Sequence, residues 1–598
     1  MSENKDIWIA GITRGHNAGV CLLKNGKVVF ATEEERYTRR KYDGGPLASM
    51  LKIKEYTDRL DFLVVAHTQT LVDTAGIIDF TGDDIYTGLA RKLKLIDHRN
   101  PSYNKQGMQH PQVLDFSHMH HRLHAACAFY RSGFETATAV IVDGAGTFIP
   151  MTTDTGNTWG WEVETLFNCS YPAQFDTIYK NIGMRDATGT QIDQVEVQNE
   201  TYQSVISDRA GIVKVYEAVT EYCGFSAIEA GKTMGLFPYG ESNDSIPKLF
   251  EHEGVVSLSN RNAIIPTYPN SGIVNANLYA ELKDGLASDL TKLQNRRDLA
   301  YAVQTQTQEE VVTYIRRAVE MTGNNNVVIS GGYGLNCVAN YHYLEALKDD
   351  GINVYVEPIS NDAGTAIGAA LLAHKHMTDD SKVEEINHNL YLGIKYSYTN
   401  EQISELVEQY DADIIDATNE DVIDLITNKN IVSVFQGGSE AGPRALGNRS
   451  ILYDPTDPDG KDFVNQVKRR EYFRPFAGSI LEEDVHEWFD LRGMDSSPTM
   501  MYAVNCQPGI EEKIPAIIHV DGTCRIQTVN REQNPNYYDL IKTFKEKTGC
   551  PIIFNTSFNL GGEPLVETLD DALWTLQESD IEYLYLPEYG KLLSIKNA

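Results

Sequence analysis

Cysteine is scarce and scattered: eight residues in 598, none of them in a Cys-x-x-Cys pair. That spacing excludes a zinc ribbon and a disulfide framework, and it fits a reducing compartment. No apolar run approaches the ~18–20 residues needed to cross a bilayer, so no membrane partner is expected. The start, MSENKDIWIAG, lacks the basic region and apolar core of a secretory leader, and a cytoplasmic location is expected. Positive charge is in short supply, with 52 Lys and Arg against 84 Asp and Glu and a formal net charge of −32. A field of that sign repels polyanions, so bulk charge gives no support to nucleic-acid binding. There is no internal repeat of the kind that builds solenoids or propellers, and no low-complexity tract.

At 598 residues the chain predicts two or more domains. The opening IWIAGITRGHNAGVCLLKNGKVVFATEEE predicts a hairpin turning at Asn-Gly, with a polar loop at Thr13, Arg14 and His16. Apolar runs at 62–67, 137–146, 326–336 and 352–358 alternate with helical patterns and end in glycine-rich turns. This pattern is that of an α/β architecture with sites at the strand ends. The polar stretch HMTDDSKVEEINHN (376–389) predicts a linker, and a second α/β pattern starts at NIVSVFQGG (430–438). Two domains are expected, 1–385 and 386–598.

What the chain does have is histidine in one place. SHMHHRLHAACAF (117–129) holds four of the fifteen histidines. On a helix, His120 and His124 project from one face a turn apart, a spacing that lets two imidazoles share one metal ion. Surface polarity explains such a pair equally well. Asp143, ending the strand in AVIVDGAG, and Asp362, in SNDAGTAIGAA, tip the balance, since both fall at strand-to-loop transitions. Asp143 and Asp362 are also consistent with plain cap or turn residues. Two imidazoles with two carboxylates favour a divalent first-row ion, iron or manganese, over structural zinc. The turn SGGYGLN (330–336), with Gly331, Gly332 and Asn336, offers amides for a phosphate, a weak signal because tight turns use glycine anyway.

The second half holds the cations. GGSEAGPRALGNRSI (437–451) predicts Arg444 and Arg449 on a turn leading into a helix. VKRREYFRPFAG contributes Lys468, Arg470 and Arg474, HVDGTCRIQTV contributes Arg525, and NTSFNLGGEPL contributes Asn555, Ser557 and Asn559. Several arginines beside rigid turns in an acidic chain suggest an anion pocket, because a guanidinium fork matches phosphate and carboxylate.

Taken together, GHNAG, EEERYTRRK, HHRLHAA, VDGAG, KTMGLFPYG, GGYGLNCVAN, DAGTAIGAAL, GPRALGNRSI, KRREYFRPFAG, HVDGTCRIQTV, NPNYYDLI and NTSFNLGGEPLVET resemble the O-carbamoyltransferases of nodulation-factor and antibiotic tailoring. They run in that family's order from about residue 7 to 570. The resemblance implies an actin-like N-terminal domain similar to threonylcarbamoyl transferases. It implies a C-terminal α/β twisted-sheet domain similar to threonylcarbamoyl-adenylate synthases. The second domain would make carbamoyl-adenylate from carbamoyl phosphate and ATP with Mg2+; the first would pass the carbamoyl group to a hydroxyl.

By motif match, Arg444, Lys468, Arg474, Arg525 and Ser557 line the adenylation site, with Arg470 and Asn555 among the substrate contacts. His120, His124, Asp143 and Asp362 hold the metal, Fe2+ first and Mn2+ second. His16 and Lys41 face the intermediate, and His16 is the candidate base. Departures are Phe237 in GLFPYG and Asn448 in GPRALGNRS. Segments 68–110 and 241–300 match no motif. The expected acceptor is a sugar, antibiotic or toxin; the alternative is a hydroxymethyl pyrimidine in DNA, flipped into the pocket. A homodimer is compatible with the sequence. Hydrogenase-maturation carbamoyl enzymes carry Cys-x-x-Cys fingers that are absent here. The non-enzymatic rival is an actin-like nucleotide-binding regulator.

Overall fold

A computed structural model describes residues 6–67, 85–97, 112–153, 156–184, 190–197, 200–207, 211–244, 246, 249–250 and 290–595. Most of the two motif-free segments lies outside these residues. The chain forms two compact units: Met1–Glu34 with Gly44–Asn387, and Glu35–Asp43 with His388–Ala598.

The first unit begins as a three-stranded meander rather than a lone hairpin: β1 (Trp8–Thr13), β2 (Gly19–Lys24) and β3 (Lys27–Glu33). Asn25 and Gly26 turn β2 into β3 with φ of 51° and 79°. Positive φ at both positions matches strand twist, which is why Asn-Gly suits this loop. β4 (Phe62–Val65) and β5 (Val113–Asp115) complete a sheet in the order β3-β2-β1-β4-β5. β1 is antiparallel to β2 and parallel to β4, and β4 is parallel to β5.

The same topology recurs further along the chain. The second sheet is built from β6 (Thr136–Val142), β7 (Phe148–Thr153), β8 (Gly156–Ser170), β9 (Gln174–Met184), β10 (Thr190–Val197), β11 (Glu200–Ser207), β12 (Asn326–Ser330) and β13 (Asn353–Val356). Its path β9-β8-β6-β12-β13 repeats the order of the first sheet, antiparallel on one side of β6 and parallel on the other. β11 and β10 extend it beyond β9, and β7 pairs with β8.

Two helices pack against each other between these sheets. Helix His120–Arg131 contacts β6 and β12, and helix Ala363–Thr378 contacts β1, β2 and β4. The second helix is buried from Ala363 to Lys375, and its small residues set how near the helices come. A Cβ on Gly368 would meet the Leu123 carbonyl oxygen at 1.9 Å. Only glycine permits that approach. A duplicated sheet with paired inner helices is the actin-like architecture expected of this half.

The second unit is a mixed ten-stranded sheet with helices, an α/β domain. Strands Arg449–Tyr453, Ile552–Ser557, Ala477–Leu481 and Thr523–Val529 lie side by side at its centre. The glycine-rich turn after residue 437 leads into strand Arg449–Tyr453, not into the expected helix. Arg449 pairs with Phe435 across the ladder, and its guanidinium stacks on that ring at 3.8 Å. Among the described residues no helix is long and apolar enough to cross a membrane.

Candidate functional site

In the first unit the inner helices bring four side chains to one point. Helix His120–Arg131 starts without a side-chain cap of its own; the His120 amide is taken by Thr147 Oγ1 at 3.2 Å. Its first turns therefore hold His120 and His124 fixed, both essentially inaccessible to water. Asp143 follows β6, and Asp362 precedes the second inner helix. One ligand atom from each of His120, His124, Asp143 and Asp362 lies within 4.8 Å of the other three.

The separations suit a metal. His120 Nε2 lies 3.2 Å from His124 Nε2 and 3.2 Å from Asp143 Oδ2. Asp362 Oδ1 is 3.6 Å from each Nε2. Bond lengths of roughly 2.0–2.2 Å to a first-row ion place neighbouring donors roughly 3–3.5 Å apart. Two nitrogens and two carboxylate oxygens, buried and convergent, are a set of groups able to hold a metal ion. Burial opposes charge on His120, but Asp362 and Asp143 outweigh it and push its pKa up to about 9. Burial likewise opposes the Asp143 carboxylate, yet the His120 hydrogen bond and neighbouring imidazoles hold its pKa well below the usual range.

Supporting groups surround the cluster. The Gly332 amide donates to Asp143 Oδ1 at 2.9 Å, so the SGGYG turn orients a candidate ligand. Gly331 makes the turn at φ 90°, where a Cβ would meet the Val142 carbonyl at 2.4 Å. Asn336, in contrast, caps helix Cys337–Ala346 and hydrogen-bonds Gln304. Ser330 Oγ contacts His124 Nδ1 at 3.4 Å. His121 is fully buried outside the four, with Nδ1 2.8 Å from Thr165 Oγ1. His16 is half-exposed, its Nδ1 3.8 Å from Asp362 Oδ2.

In the second unit, Lys468, Arg470 and Arg474 follow helix Gly460–Val467, and Arg525 lies on strand Thr523–Val529. Lys468 is 1% exposed, and its Nζ donates to the Ser557 carbonyl and, at 3.2 Å, to Asn559 Oδ1. Ser557 Oγ donates to the same Asn559 oxygen at 2.6 Å. Burial first, then repulsion from Arg470 and Arg474, pushes the Lys468 pKa well below that of an ordinary lysine. Burial and then Arg474 and Arg525 do the same to Arg470. Arg474 meets Glu471 at 3.5 Å. Neither Arg470 nor Arg525 makes an ion pair among the described residues, although the Glu471 carboxylate offsets part of the Arg470 charge, and the Nε of each is buried without a hydrogen bond. Like charges crowded under partial burial are costly unless an anion joins them.

Other predicted residues have different places. Asn555 faces inward, its Nδ2 donating to the Ala445 carbonyl at 3.2 Å and to Ser479 Oγ at 2.9 Å, so it anchors the loop carrying Arg444. Arg449 is wholly buried and donates to the carbonyls of Gln436, Gly437, Asn448 and Glu567. Lys41 belongs to the Glu35–Asp43 segment of this unit and pairs with Glu35 at 2.7 Å. In that segment Arg36 donates to the Gly442 carbonyl at 2.8 Å, and Arg39 to those of Leu565 and Pro564 at 2.6 and 3.1 Å. Sequence reasoning missed Thr147, Ser330 and Arg36, whose partners lie 27 to 406 positions away and leave no local pattern.

Comparison with known proteins agrees with this arrangement of motifs. The family model described as Carbamoyltransferase N-terminus matches residues 8–371, and that described as Carbamoyltransferase C-terminus matches 423–591. Nodulation protein NolO of Bradyrhizobium diazoefficiens is 32% identical over 78% of this chain and 77% of its own. Nodulation protein NolNO of Sinorhizobium fredii is 29% identical over 96% of this chain and 78% of its own. The 3'-hydroxymethylcephem-O-carbamoyltransferase of Streptomyces clavuligerus is 29% identical over 58% of this chain and 61% of its own.

Proposed function

The chain belongs to the carbamoyltransferase family and is a transferase; from that premise we propose an ATP-dependent O-carbamoyltransferase whose two units divide the reaction. In the second unit, carbamoyl phosphate gives up its phosphate to water, and the carbamate oxygen attacks the α-phosphate of ATP, accompanied by Mg2+. Carbamoyl-adenylate forms, and phosphate and pyrophosphate leave. The observation that carries this reading is the crowding of Lys468, Arg470, Arg474 and Arg525, four cations that repel one another with a single ion pair, Arg474 to Glu471, among the described residues. Such a cluster neutralises phosphoryl oxygens while charge moves between them. Arg444 presents a further cation, and Ser557 and Asn559 hold Lys468 in place.

In the first unit the acceptor hydroxyl attacks the carbamoyl carbon, AMP leaves, and His16 takes the hydroxyl proton. A divalent ion, iron ahead of manganese, held by His120, His124, Asp143 and Asp362 would supply fixed positive charge for an oxygen on which negative charge develops. Gly332 keeps Asp143 oriented and Ser330 keeps the His124 ring oriented, so the donors are ready before substrate arrives.

A small hydroxylated molecule is the acceptor we favour. One relative is named for a hydroxymethyl cephem, and a net charge of −32 opposes DNA. The test incubates the protein with isotope-labelled carbamoyl phosphate, ATP and a panel of alcohols including hydroxymethylcytosine DNA, followed by mass spectrometry. ATP-dependent labelling of a small alcohol is expected. Labelling of the DNA instead, falling steeply with salt, overturns the acceptor choice. Labelling independent of ATP overturns the adenylate.

A further inference from the structure

The loop that carries Arg444 is held nearly atom by atom, and one residue accepts three of its amides. Glu440 Oε1 accepts from the amides of Leu446 at 2.7 Å, Asn448 at 2.9 Å and Arg449 at 3.4 Å. The carbonyls of the same stretch are taken from outside it. Asn555 donates to Ala445 O at 3.2 Å, Gln527 and Tyr391 donate to Leu446 O at 2.9 and 2.8 Å, and Gln436 donates to Gly447 O at 3.0 Å. On the near flank Arg36 donates to Gly442 O at 2.8 Å.

Glu440 is 2% exposed, makes no ion pair among the described residues, and leaves Oε2 buried without a hydrogen bond. A carboxylate placed like that is expensive for the fold alone, since one oxygen carries three bonds and the other none. What it secures is one backbone geometry between residues 440 and 449, in the loop that carries Arg444 and that Asn555 ties to the strand ending at Ser557. We propose that Glu440 is a positioning residue for the activation step, fixing this loop so that Arg444 meets the phosphoryl oxygens in a single arrangement. This rests on the reading that the second unit forms carbamoyl-adenylate. Glu440 touches no substrate; it acts through the loop.

The test uses the full chain and carbamoyl-phosphate-dependent pyrophosphate release, with each co-substrate varied in turn. Glu440→Ala is expected to raise the KM for carbamoyl phosphate or ATP by about tenfold or more, because a misplaced binding group loses oriented contacts. Glu440→Gln retains the accepting oxygen and is expected to recover most of that loss. Glu440→Asp keeps the charge and the fold but withdraws the acceptor by one methylene, and an intermediate KM is expected. Unchanged KM values in Glu440→Asp and Glu440→Ala, with only a lower unfolding temperature, would make the residue purely structural and sink the inference alone. A Glu440→Ala chain that does not fold leaves the decision to Glu440→Asp, where a wild-type KM sinks the inference. A wild-type chain that releases no pyrophosphate removes the activation reading and this inference with it.

Discussion

His120 and His124 share a face of one helix, and that much is visible in a spacing of four. That the face turns inward follows from the second helix, whose preceding Asp362 meets both rings. A local pattern therefore proposed the pair, while long-range packing set it beside a buried carboxylate. Ser330 had no such pattern: it lies 206 positions from His124, yet its hydroxyl contacts the ring nitrogen that faces away from the cluster. Replacing His124 by Ala is expected to strip the bound metal from the purified protein, read by elemental analysis. Ser330→Ala is expected to weaken metal affinity by about tenfold in a chelator competition, because the group that orients a ligand tunes its binding. Full metal content in His124→Ala would remove these residues from the ligand set.

Strands were legible at the level of elements because alternating apolar runs ended in turn chemistry. Asn25-Gly26 is the plainest case, its two positive φ angles matching the residues chosen. The stretch after Gly437 misled, since glycine, proline and small residues open helices and strands alike; here backbone pairing of Arg449 with Phe435 decided for a strand. Nor did local sequence signal that Glu35–Asp43 leaves the first unit, because its arginines bind carbonyls more than 400 positions away. Contact between the two inner helices depends on Gly368, and overpacking there is expected to cost about 1–3 kcal/mol or more. Gly368→Val should lower the denaturant midpoint and, by parting His120 and His124 from Asp362, weaken metal affinity as well. A variant that loses stability but binds metal as tightly as the parent would separate the helix contact from the site.

The whole molecule is acidic, and one buried carboxyl gives its first unit a characteristic pH response. Burial lifts the Glu164 pKa from 4.5 to about 7, against hydrogen bonds from the Ile212 amide and Asn181. Between those values the folded chain holds a proton that the unfolded chain has released, so folding takes up a proton. Stability is therefore whole below about 4.5 and falls as pH rises through about 7, by on the order of 3 kcal/mol. Glu164→Gln should flatten that slope in unfolding measurements made across the window; an unchanged slope would show that the group is not protonated in the fold.

The central claim concerns both units of the molecule: one makes an activated carbamoyl group, and the other delivers it beside a metal. Motifs carried the family, since they hold chemistry in contiguous residues; the acceptor was not legible, since the motif-free segments carry no such pattern. The most direct measurement is pyrophosphate and carbamoyl-adenylate formation from ATP by a His120→Ala, His124→Ala double variant, with carbamoyl phosphate present or withheld. We predict that both products form only when carbamoyl phosphate is supplied, and that the intermediate accumulates without passing to an alcohol. ADP in place of pyrophosphate, or release that ignores carbamoyl phosphate, would contradict the account.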